Sequence, residues 1–159
     1  MIASFDVGEK NLAYVVGNDK VVLEMKHIDI KKKKPQTIAE SCEYISDILR
    51  ERNWNDCSHI LIEQQVKSNV RAQRIAQHLW TWFRVSYPNM STKFVSATLK
   101  TSDGGTMTYA RRKKWAVTET IRLLRNDEKT LEYIKSLPKC DDVSDAYLQM
   151  IAWLKRSVD

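Results

Sequence analysis

Four acidic residues stand where a folded chain does not normally leave a lone charge. Asp6 interrupts the apolar run near the N-terminus ("SFDVGEKNLAYVV"), and Glu63 directly follows the apolar triplet Ile-Leu-Ile. Asp142 and Asp145 are spaced i, i+3, which places them on one face of a helix. A buried carboxylate without a partner is costly, and like charges on one helix face repel each other. A cation shared by the four side chains would stabilise them.

The chemistry of this donor set is that of a hard divalent metal. Carboxylate oxygens without His or Cys ligands favour Mg²⁺ or Mn²⁺ over zinc. Four carboxylates can hold two ions ~3.5–4 Å apart, an arrangement in which one ion activates a water and the other stabilises the leaving oxygen of a phosphodiester. Each acid alone also has a structural interpretation. Asp142 and Asp145 suit the first turn of a helix after Pro138, and Glu63 can simply end a strand.

Basic residues supply the complementary charge. The chain has 26 Lys and Arg against 20 Asp and Glu, a net charge of +6, which favours an anionic partner such as nucleic acid. Arg111, Arg112, Lys113 and Lys114 are consecutive in a segment with helical spacing, so they cannot all face the same way. One can point at the acids and stabilise charge on a phosphate, while the others contact the DNA backbone. A solvated basic face is the alternative.

Cysteine usage and hydropathy limit the compartment. There are three cysteines, an odd number, and no Cys-x-x-Cys motif, so we expect no disulfide, no zinc site and a reducing compartment. Asp6 and Glu9 fall where a signal peptide needs its apolar core. No apolar stretch approaches the about 20 residues of a membrane span. We therefore expect an intracellular protein that does not act at a membrane.

A mixed α/β architecture must position the acids. Alternation and short apolar runs predict strands, and apolar stripes at helical spacing predict helices. The strands are expected at 2–7, 12–16, 21–30, 60–62 and 93–96, with a hairpin turn at 17–19, and the helices at 38–50, 70–85, 109–125, 127–136 and 142–155. A basic run follows at 31–34, and the small polar residues of 98–108 predict a loop. We expect one domain over residues 1–159, with helices flanking a mixed sheet.

Three segments resemble one known family. They are Asp-Val-Gly-Glu-Lys-Asn-Leu-Ala-Tyr (6–14), Ile-Glu-Gln-Gln (62–65) and Lys-Cys-Asp-Asp-Val-Ser-Asp-Ala (139–146). Together they are similar to the RuvC-type Holliday junction resolvases, above all the poxviral branch, with the fungal mitochondrial enzymes nearby. The resemblance covers nearly the whole chain. It implies an RNase H-like fold with a five-stranded mixed sheet, and a homodimer that cuts opposing strands of a four-way DNA junction with two Mg²⁺ or Mn²⁺ ions per active site.

The resemblance also assigns roles to residues. The family's catalytic, metal-binding acids match Asp6, Glu63, Asp142 and Asp145, which leaves Asp141 as a neighbour. Its catalytic lysine matches Lys114 best, with Lys113 as the alternative. We expect contacts to branched DNA from the basic residues Lys10, Lys67, Arg71, Arg74, Arg111, Arg112 and Lys113.

Poxviral membership implies a place of action and a partner surface. The implied task is the resolution of concatemeric viral genomes and recombination intermediates, in the cytoplasm of an infected cell. The helix expected at 70–85 is the candidate dimer interface, through Trp80 and Trp82. Ile75 and Leu79 on the same helix are more typical of the core.

Other functions fit parts of the pattern. A nuclease of the same fold acting on RNA–DNA hybrids or other branched DNA would share the acids, because fold does not fix substrate. A non-catalytic junction-binding protein would have lost acids that are all present here. Actin-like sugar kinases also open on an Asp-x-Gly strand and a hairpin, but they need two domains to enclose ATP, and 159 residues supply one.

Overall fold

Five strands form one sheet in the computed structural model, which describes residues 1–31, 37–101 and 107–156. The strands are β1 (Ile2–Val7), β2 (Asn11–Gly17), β3 (Val22–Asp29), β4 (His59–Glu63) and β5 (Ser91–Val95), in the spatial order β3-β2-β1-β4-β5. β1, β2 and β3 pair antiparallel, whereas β1, β4 and β5 pair parallel. The predicted mixed sheet is confirmed. That the complete chain, 1–159, forms one domain stays a prediction.

Helices cover both faces of this sheet. Within the described ranges they are α1 (Ile38–Arg50), α2 (Val70–Ser86), α3 (Tyr109–Leu123), α4 (Glu128–Ser136) and α5 (Asp141–Arg156). Each predicted helix boundary is met to within two residues. Local chemistry explains why α1 begins where it does, because Thr37 and Glu40 form a reciprocal capping box.

The segment predicted as one long loop is not uniform. Leu99–Thr101 forms a 3₁₀ turn with Leu99 and Lys100 buried, so this part of 98–108 packs against the rest of the domain. Residues 102–106, which include both glycines of the loop, lie outside the described residues. The same holds for most of the basic run, since the gap at 32–36 contains three of its four lysines.

Alternation along β1 separates two cores and explains how Asp6 fits an apolar strand. Phe5 is fully buried on the face covered by α1 and α2, where its ring lies 5.4–5.8 Å from the rings of Tyr14, Trp54 and Phe83. The second core, on the other face, belongs to α3, α4 and α5. Asp6 points to this second face, since successive side chains of a strand alternate. Its carboxylate therefore leaves the aromatic core intact.

The turn between β2 and β3 shows why glycine is needed at position 17. A Cβ there would collide with the carbonyl oxygen of Val21. Asn18 closes the turn, since its Oδ1 accepts hydrogen bonds from the backbone nitrogens of Lys20 and Val21. The predicted hairpin at 17–19 is confirmed.

The cysteines and the lengths of the helices can be compared with the sequence predictions. Cys57 is buried, Cys42 and Cys140 are half-buried, and all three are free thiols. In the described part of the chain, each helix is too short or too polar to cross a membrane.

Candidate active site

The parallel pairing of β1 and β4 brings two of the acids together. Phe5 pairs with Ile62, so Asp6 and Glu63 are the next residues on neighbouring strands and lie on the same face of the sheet. Both are at the carboxyl end of their strand, where the strand gives way to a loop. The sheet therefore sets the spacing of these two carboxylates without help from the loops.

α5 supplies the third acid, Asp145. One turn further along the helix, Gln149 is 1% exposed, and its Nε2 donates to Ser4 Oγ at 3.0 Å and to the Phe5 carbonyl oxygen at 3.3 Å. These bonds fasten α5 across β1. Residues i and i+4 share a helix face, so the same contact aims Asp145 at the end of β1.

A lysine that the sequence interpretation did not identify lies between the three acids. Lys100 Nζ is 2.9 Å from Asp6 Oδ1, 3.2 Å from Glu63 Oε1 and 2.7 Å from Asp145 Oδ2. Its side chain is only 8% exposed. We call Asp6, Glu63, Asp145 and Lys100 the acid cluster.

Burial and charge shift the protonation equilibria of the acid cluster. Burial raises the pKa of Asp6 well above its ordinary range; Lys100 opposes this rise, and Glu63 adds to it. Burial likewise raises the pKa of Asp145, against the pull of Lys100. For Lys100, burial lowers the pKa, but the three carboxylates outweigh it and hold the pKa above its ordinary value. One ammonium thus faces three carboxylates, and the site attracts further positive charge.

The donor set of the acid cluster fits the predicted metal. Three carboxylate oxygens already surround one cationic centre, and carboxylates are the ligands that Mg²⁺ and Mn²⁺ prefer. However, Lys100 Nζ lies between the three carboxylates and keeps their oxygens too far apart to bind one metal ion together. In the described ranges there is no set of three or more His, Cys, Asp or Glu side chains ready to hold an ion as it stands.

Asp142, the fourth predicted ligand, lies outside the acid cluster. Its carboxylate accepts hydrogen bonds from Lys139 Nζ at 2.9 and 3.0 Å and lies 3.3 Å from His27 Nε2 on β3. The structure thus separates the i, i+3 pair: Asp145 points to the end of β1, while Asp142 points to the edge near β3. Three residues advance an α-helix by about 300°, so the two side chains leave the helix about 60° apart. The packing of Gln149 on β1 turns Asp145, and not Asp142, toward Asp6.

The predicted catalytic lysines also lie outside the acid cluster. Lys113 forms an ion pair with Asp141, the first residue of α5, and Lys114 is exposed. Among the described contacts, neither ammonium reaches Asp6, Glu63 or Asp145. The lysine that the structure places at the acids is Lys100, on the turn after β5. The catalytic role of Lys114 or Lys113 stays a prediction. The signal of Lys100 in the sequence is slight, a lysine beside the apolar Leu99 just after a strand that neighbours β4.

The predicted DNA-contacting residues mostly surround the same edge of the sheet. Lys10 is exposed in the β1–β2 turn, Lys67 is exposed in the β4–α2 loop, and Arg74 is exposed on the second turn of α2. Arg71 is half-buried and donates to Ser41 Oγ at 2.7 Å, so it is partly committed within the fold. We call this set, together with Arg111, Arg112 and Lys113 at the start of α3, the basic rim.

An aromatic residue in the basic rim was missed by the sequence interpretation. Tyr109, the first residue of α3, is 64% exposed. Arg112 Cζ and Lys113 Nζ lie 5.4 and 5.0 Å from the centroid of its ring. An exposed ring among cations is suited to stacking on a nucleobase. The signal available in the sequence is a tyrosine directly before a run of basic residues.

Solved structures share this architecture. The yeast mitochondrial Holliday junction resolvase Ydc2 matches with a TM-score of 0.65 at 14% identity, over 99% of this chain and 80% of that one. Thermus thermophilus RuvC matches with a TM-score of 0.63 at 13% identity, over 98% and 96%. RuvC of T. thermophilus in complex with a Holliday junction substrate matches with a TM-score of 0.63 at 12% identity, over 98% and 94%. The predicted RNase H-like fold is confirmed.

The chain belongs to the Poxvirus A22 protein family, whose profile matches residues 1–156. The uncharacterized protein 97L of Invertebrate iridescent virus 3 is 26% identical over 206 residues, covering 98% of this chain and 100% of that protein. The uncharacterized protein 170L of Invertebrate iridescent virus 6 is 26% identical over 221 residues, covering 96% and 87%. The family predicted from the three sequence motifs is confirmed.

Proposed function

We propose that this protein is a Holliday junction resolvase, a metal-dependent endodeoxyribonuclease that cuts two opposing strands of a four-way DNA junction. The observation that carries the proposal is the acid cluster. Three carboxylates meet around one buried cationic centre, at the carboxyl edge of an RNase H-like sheet. Family membership supports the same function.

Mg²⁺, with Mn²⁺ as a substitute, is the proposed cofactor, at two ions per active site. Asp6, Glu63 and Asp145 would hold the first ion, and Asp142 would complete the second site. When bound, such ions supply an activated water and stabilise the leaving oxygen of the phosphodiester. Asp142 is held by Lys139, whose side chain is 45% exposed, and by His27, whose side chain is 15% exposed. The pair with the partly exposed Lys139 is weak, so we propose that a divalent ion competes with these partners for Asp142.

The chain's own residues position the scissile phosphate. Asp6 and Glu63 are fixed by the pairing of β1 with β4, and Asp145 is fixed through Gln149, so the carboxylates need little reorganisation. Preorganised charge of this kind is the main source of catalysis in many sites. Lys100 supplies the positive charge that the predicted catalytic lysine was to bring, and we propose that it stabilises the developing charge on the phosphate.

The basic rim is the proposed DNA-binding surface. Its lysines and arginines would contact backbone phosphates, which gives salt-dependent affinity without sequence preference. Tyr109 would stack on a base exposed near the branch point. Phosphate contacts position the DNA, and the acid cluster cuts it.

A homodimer is the proposed assembly, with α2 as its interface. Ile75 and Leu79 are fully buried in the core, whereas Trp80 and Trp82 are only partly buried against it. Beside Trp82 lies a surface cavity of about 710 Å³, which Val85 also lines. A twofold dimer would present two acid clusters to a twofold-symmetric junction, as paired cuts require. Sedimentation of the wild type and Trp82→Ala would test this assembly.

We place the reaction in viral DNA metabolism. Replication that yields concatemers, and recombination between genomes, both produce four-way junctions that must be cut before genomes separate. The proposed site of action is the cytoplasm of an infected cell. Membership of the Poxvirus A22 protein family supports this placement.

A panel of synthetic substrates tests the proposed activity. A four-way junction, a linear duplex and an RNA–DNA hybrid are incubated with the wild type in Mg²⁺ or in a chelator. We expect symmetric nicks in opposing junction strands in Mg²⁺ only. Cleavage of the hybrid alone would assign an RNase H activity instead. Junction binding without cleavage in any divalent metal would leave a non-catalytic binding protein.

A further inference from the structure

Lys100 occupies the point at which a metal would have to bind. Its Nζ is within 3.2 Å of one oxygen from each of Asp6, Glu63 and Asp145. These are the oxygens that would ligate the first ion. With 8% exposure, the ammonium is an internal part of the site and not a surface charge beside it.

The ammonium and a divalent ion cannot share these three ligands. Mg²⁺ needs its oxygens at ~2.0–2.1 Å, so an ion bound by all three would lie within contact distance of Nζ where it now stands. Two cations at such a distance repel strongly in a buried site. Lys100 Nζ must therefore leave its position before the carboxylates can close on an ion.

The construction of the site allows this exchange. The carboxylates stand on β1, β4 and α5, which the core holds in place, whereas Lys100 stands on a three-residue 3₁₀ turn. A lysine side chain has a flexible four-carbon stem, so its Nζ can move by several ångströms while the main chain stays. The acids are thus the fixed part of the site, and the ammonium is the exchangeable part.

We propose that Lys100 is a built-in counterion that a divalent metal displaces. In the metal-free protein it holds the three carboxylates together and limits their repulsion. On metal binding it withdraws but remains tethered at the edge of the site, where it faces the incoming phosphate. This inference rests on the proposed metal-dependent function and adds a competition within it.

Metal affinity measured without DNA tests the competition. Lys100→Met removes the ammonium and keeps the length of the side chain. The matched control is Lys20→Met, which removes an exposed lysine in the turn between β2 and β3, beside the opposite end of β1. By calorimetry, we expect Lys100→Met to bind Mn²⁺ at least about tenfold more tightly than the wild type, equivalent to about 1.4 kcal/mol. We expect Lys20→Met to match the wild type. Equal or weaker Mn²⁺ binding by Lys100→Met would overturn the proposal.

Thermal unfolding gives a second readout from the same proteins. In a chelator, Lys100→Met should melt below the wild type, because three carboxylates lose their counterion. Saturating Mn²⁺ should raise its melting temperature by more than that of the wild type. A smaller rise for Lys100→Met would argue that Lys100 assists metal binding rather than competing with it.

A measurement on the wild type does not depend on how the variant folds. Lysine acylation is mapped by mass spectrometry, with and without saturating Mn²⁺. We expect Lys100 to be protected without metal and several-fold more reactive with it, while Lys20 reacts equally in both. Unchanged protection of Lys100 in Mn²⁺ would refute the exchange.

The two proposals fail separately. If the wild type neither binds Mn²⁺ nor cuts a junction, the metal-dependent function itself fails. If it cuts junctions in Mn²⁺ while Lys100 stays protected and Lys100→Met binds the ion no better, only the exchange fails.

Discussion

Two groups of charged residues near the N-terminal end of α5 contain the same residue types but differ in their balance of positive and negative charge. The acid cluster sets three carboxylates against the single ammonium of Lys100, and its side chains are 8–23% exposed. The neighbouring pair, Asp141 and Asp142, is matched by Lys113 and Lys139, with His27 in addition, and the exposure there reaches 45%. The acid cluster has a surplus of negative charge around a buried lysine, whereas in the other group the charges are balanced and the lysines are more exposed.

This difference separates a reactive site from a structural one. A buried surplus of carboxylates is unfavourable for the free protein and is retained where a ligand can use it. The Asp141–Lys113 pair, in contrast, joins the first turns of α5 and α3 and stabilises their packing. Asp142 stands between these two roles, because it belongs to the balanced group and lies one turn from Asp145.

Asp6→Asn should have the largest effect. The amide keeps the size of the side chain but removes a metal-binding charge, so we expect junction cleavage to fall by at least about a thousandfold. Junction binding should remain close to that of the wild type, because the basic rim is unchanged. Cleavage assays and gel shifts on the same junction measure the two effects. Loss of both would indicate misfolding instead.

Lys100→Met and Lys114→Met sharpen the contrast between the acid cluster and α3. Removing one charge that stabilises a transition state costs about 10²–10³ in rate, and we expect a loss in this range for Lys100→Met. Lys114→Met should lose far less, since Lys114 is exposed on α3. Single-turnover rates at saturating protein separate turnover from affinity. The reverse order of effects would identify Lys114 as the catalytic lysine.

Asp142→Asn and Asp141→Asn test whether these two neighbouring acids have different roles. If Asp142 turns to complete the second metal site, Asp142→Asn should reduce cleavage by about a hundredfold. Asp141→Asn should be mild, because Asp141 binds Lys113 and Lys139 and not the acid cluster. Rates at a series of Mg²⁺ concentrations test this, since a lost ligand raises the metal requirement. An active Asp142→Asn protein would confine the site to three acids.

The pH dependence of stability should also distinguish the acid cluster. The pKa of Asp6 is raised in the folded protein, so the native state binds more protons than the unfolded chain above the ordinary pKa of 3.8. In a chelator, wild-type stability should therefore fall as pH rises through the raised pKa. Asp6→Asn lacks this group, so its stability should fall less over the same range of pH. Parallel thermal-melting curves against pH would contradict this.

Tyr109→Ala should affect junction affinity and leave the cleavage step unchanged. Loss of one base-stacking contact costs about 1–3 kcal/mol, and we expect that loss in junction affinity. Tyr109→Phe keeps the ring and should bind as the wild type does. Binding titrations at fixed salt measure the difference. Equal affinity of the alanine and phenylalanine variants would remove Tyr109 from the DNA interface.

The sheet and the proximity of Asp6 to Glu63 were predictable from the sequence, for a local reason. Asp6 and Glu63 end strands whose alternation or apolar run is visible in a few residues, and parallel strands place such ends together. The direction of Asp142 was not predictable in this way. An i, i+3 pair shares a broad face, and only the packing of Gln149 on Ser4 and Phe5 decides which member points inward.

The position of Lys100 at the acids could not be predicted from its neighbours in the sequence. This lysine stands in a polar segment without periodicity, and its partners are distant in sequence: Asp6 is 94 residues away. The basic run on α3 gave the stronger local signal, but helix geometry turns Lys113 toward Asp141. The contacts that define the acid cluster depend on the order of the strands in the sheet, and local sequence patterns do not predict that order.

A crystal of the protein grown with Mn²⁺ would show whether the acid cluster is the metal centre, because anomalous scattering locates the ion independently of activity. We predict a peak between the carboxylates of Asp6, Glu63 and Asp145, with Lys100 Nζ withdrawn from its position between them. A peak elsewhere, with Lys100 still bound to all three acids, would contradict the assignment of the acid cluster as the metal centre.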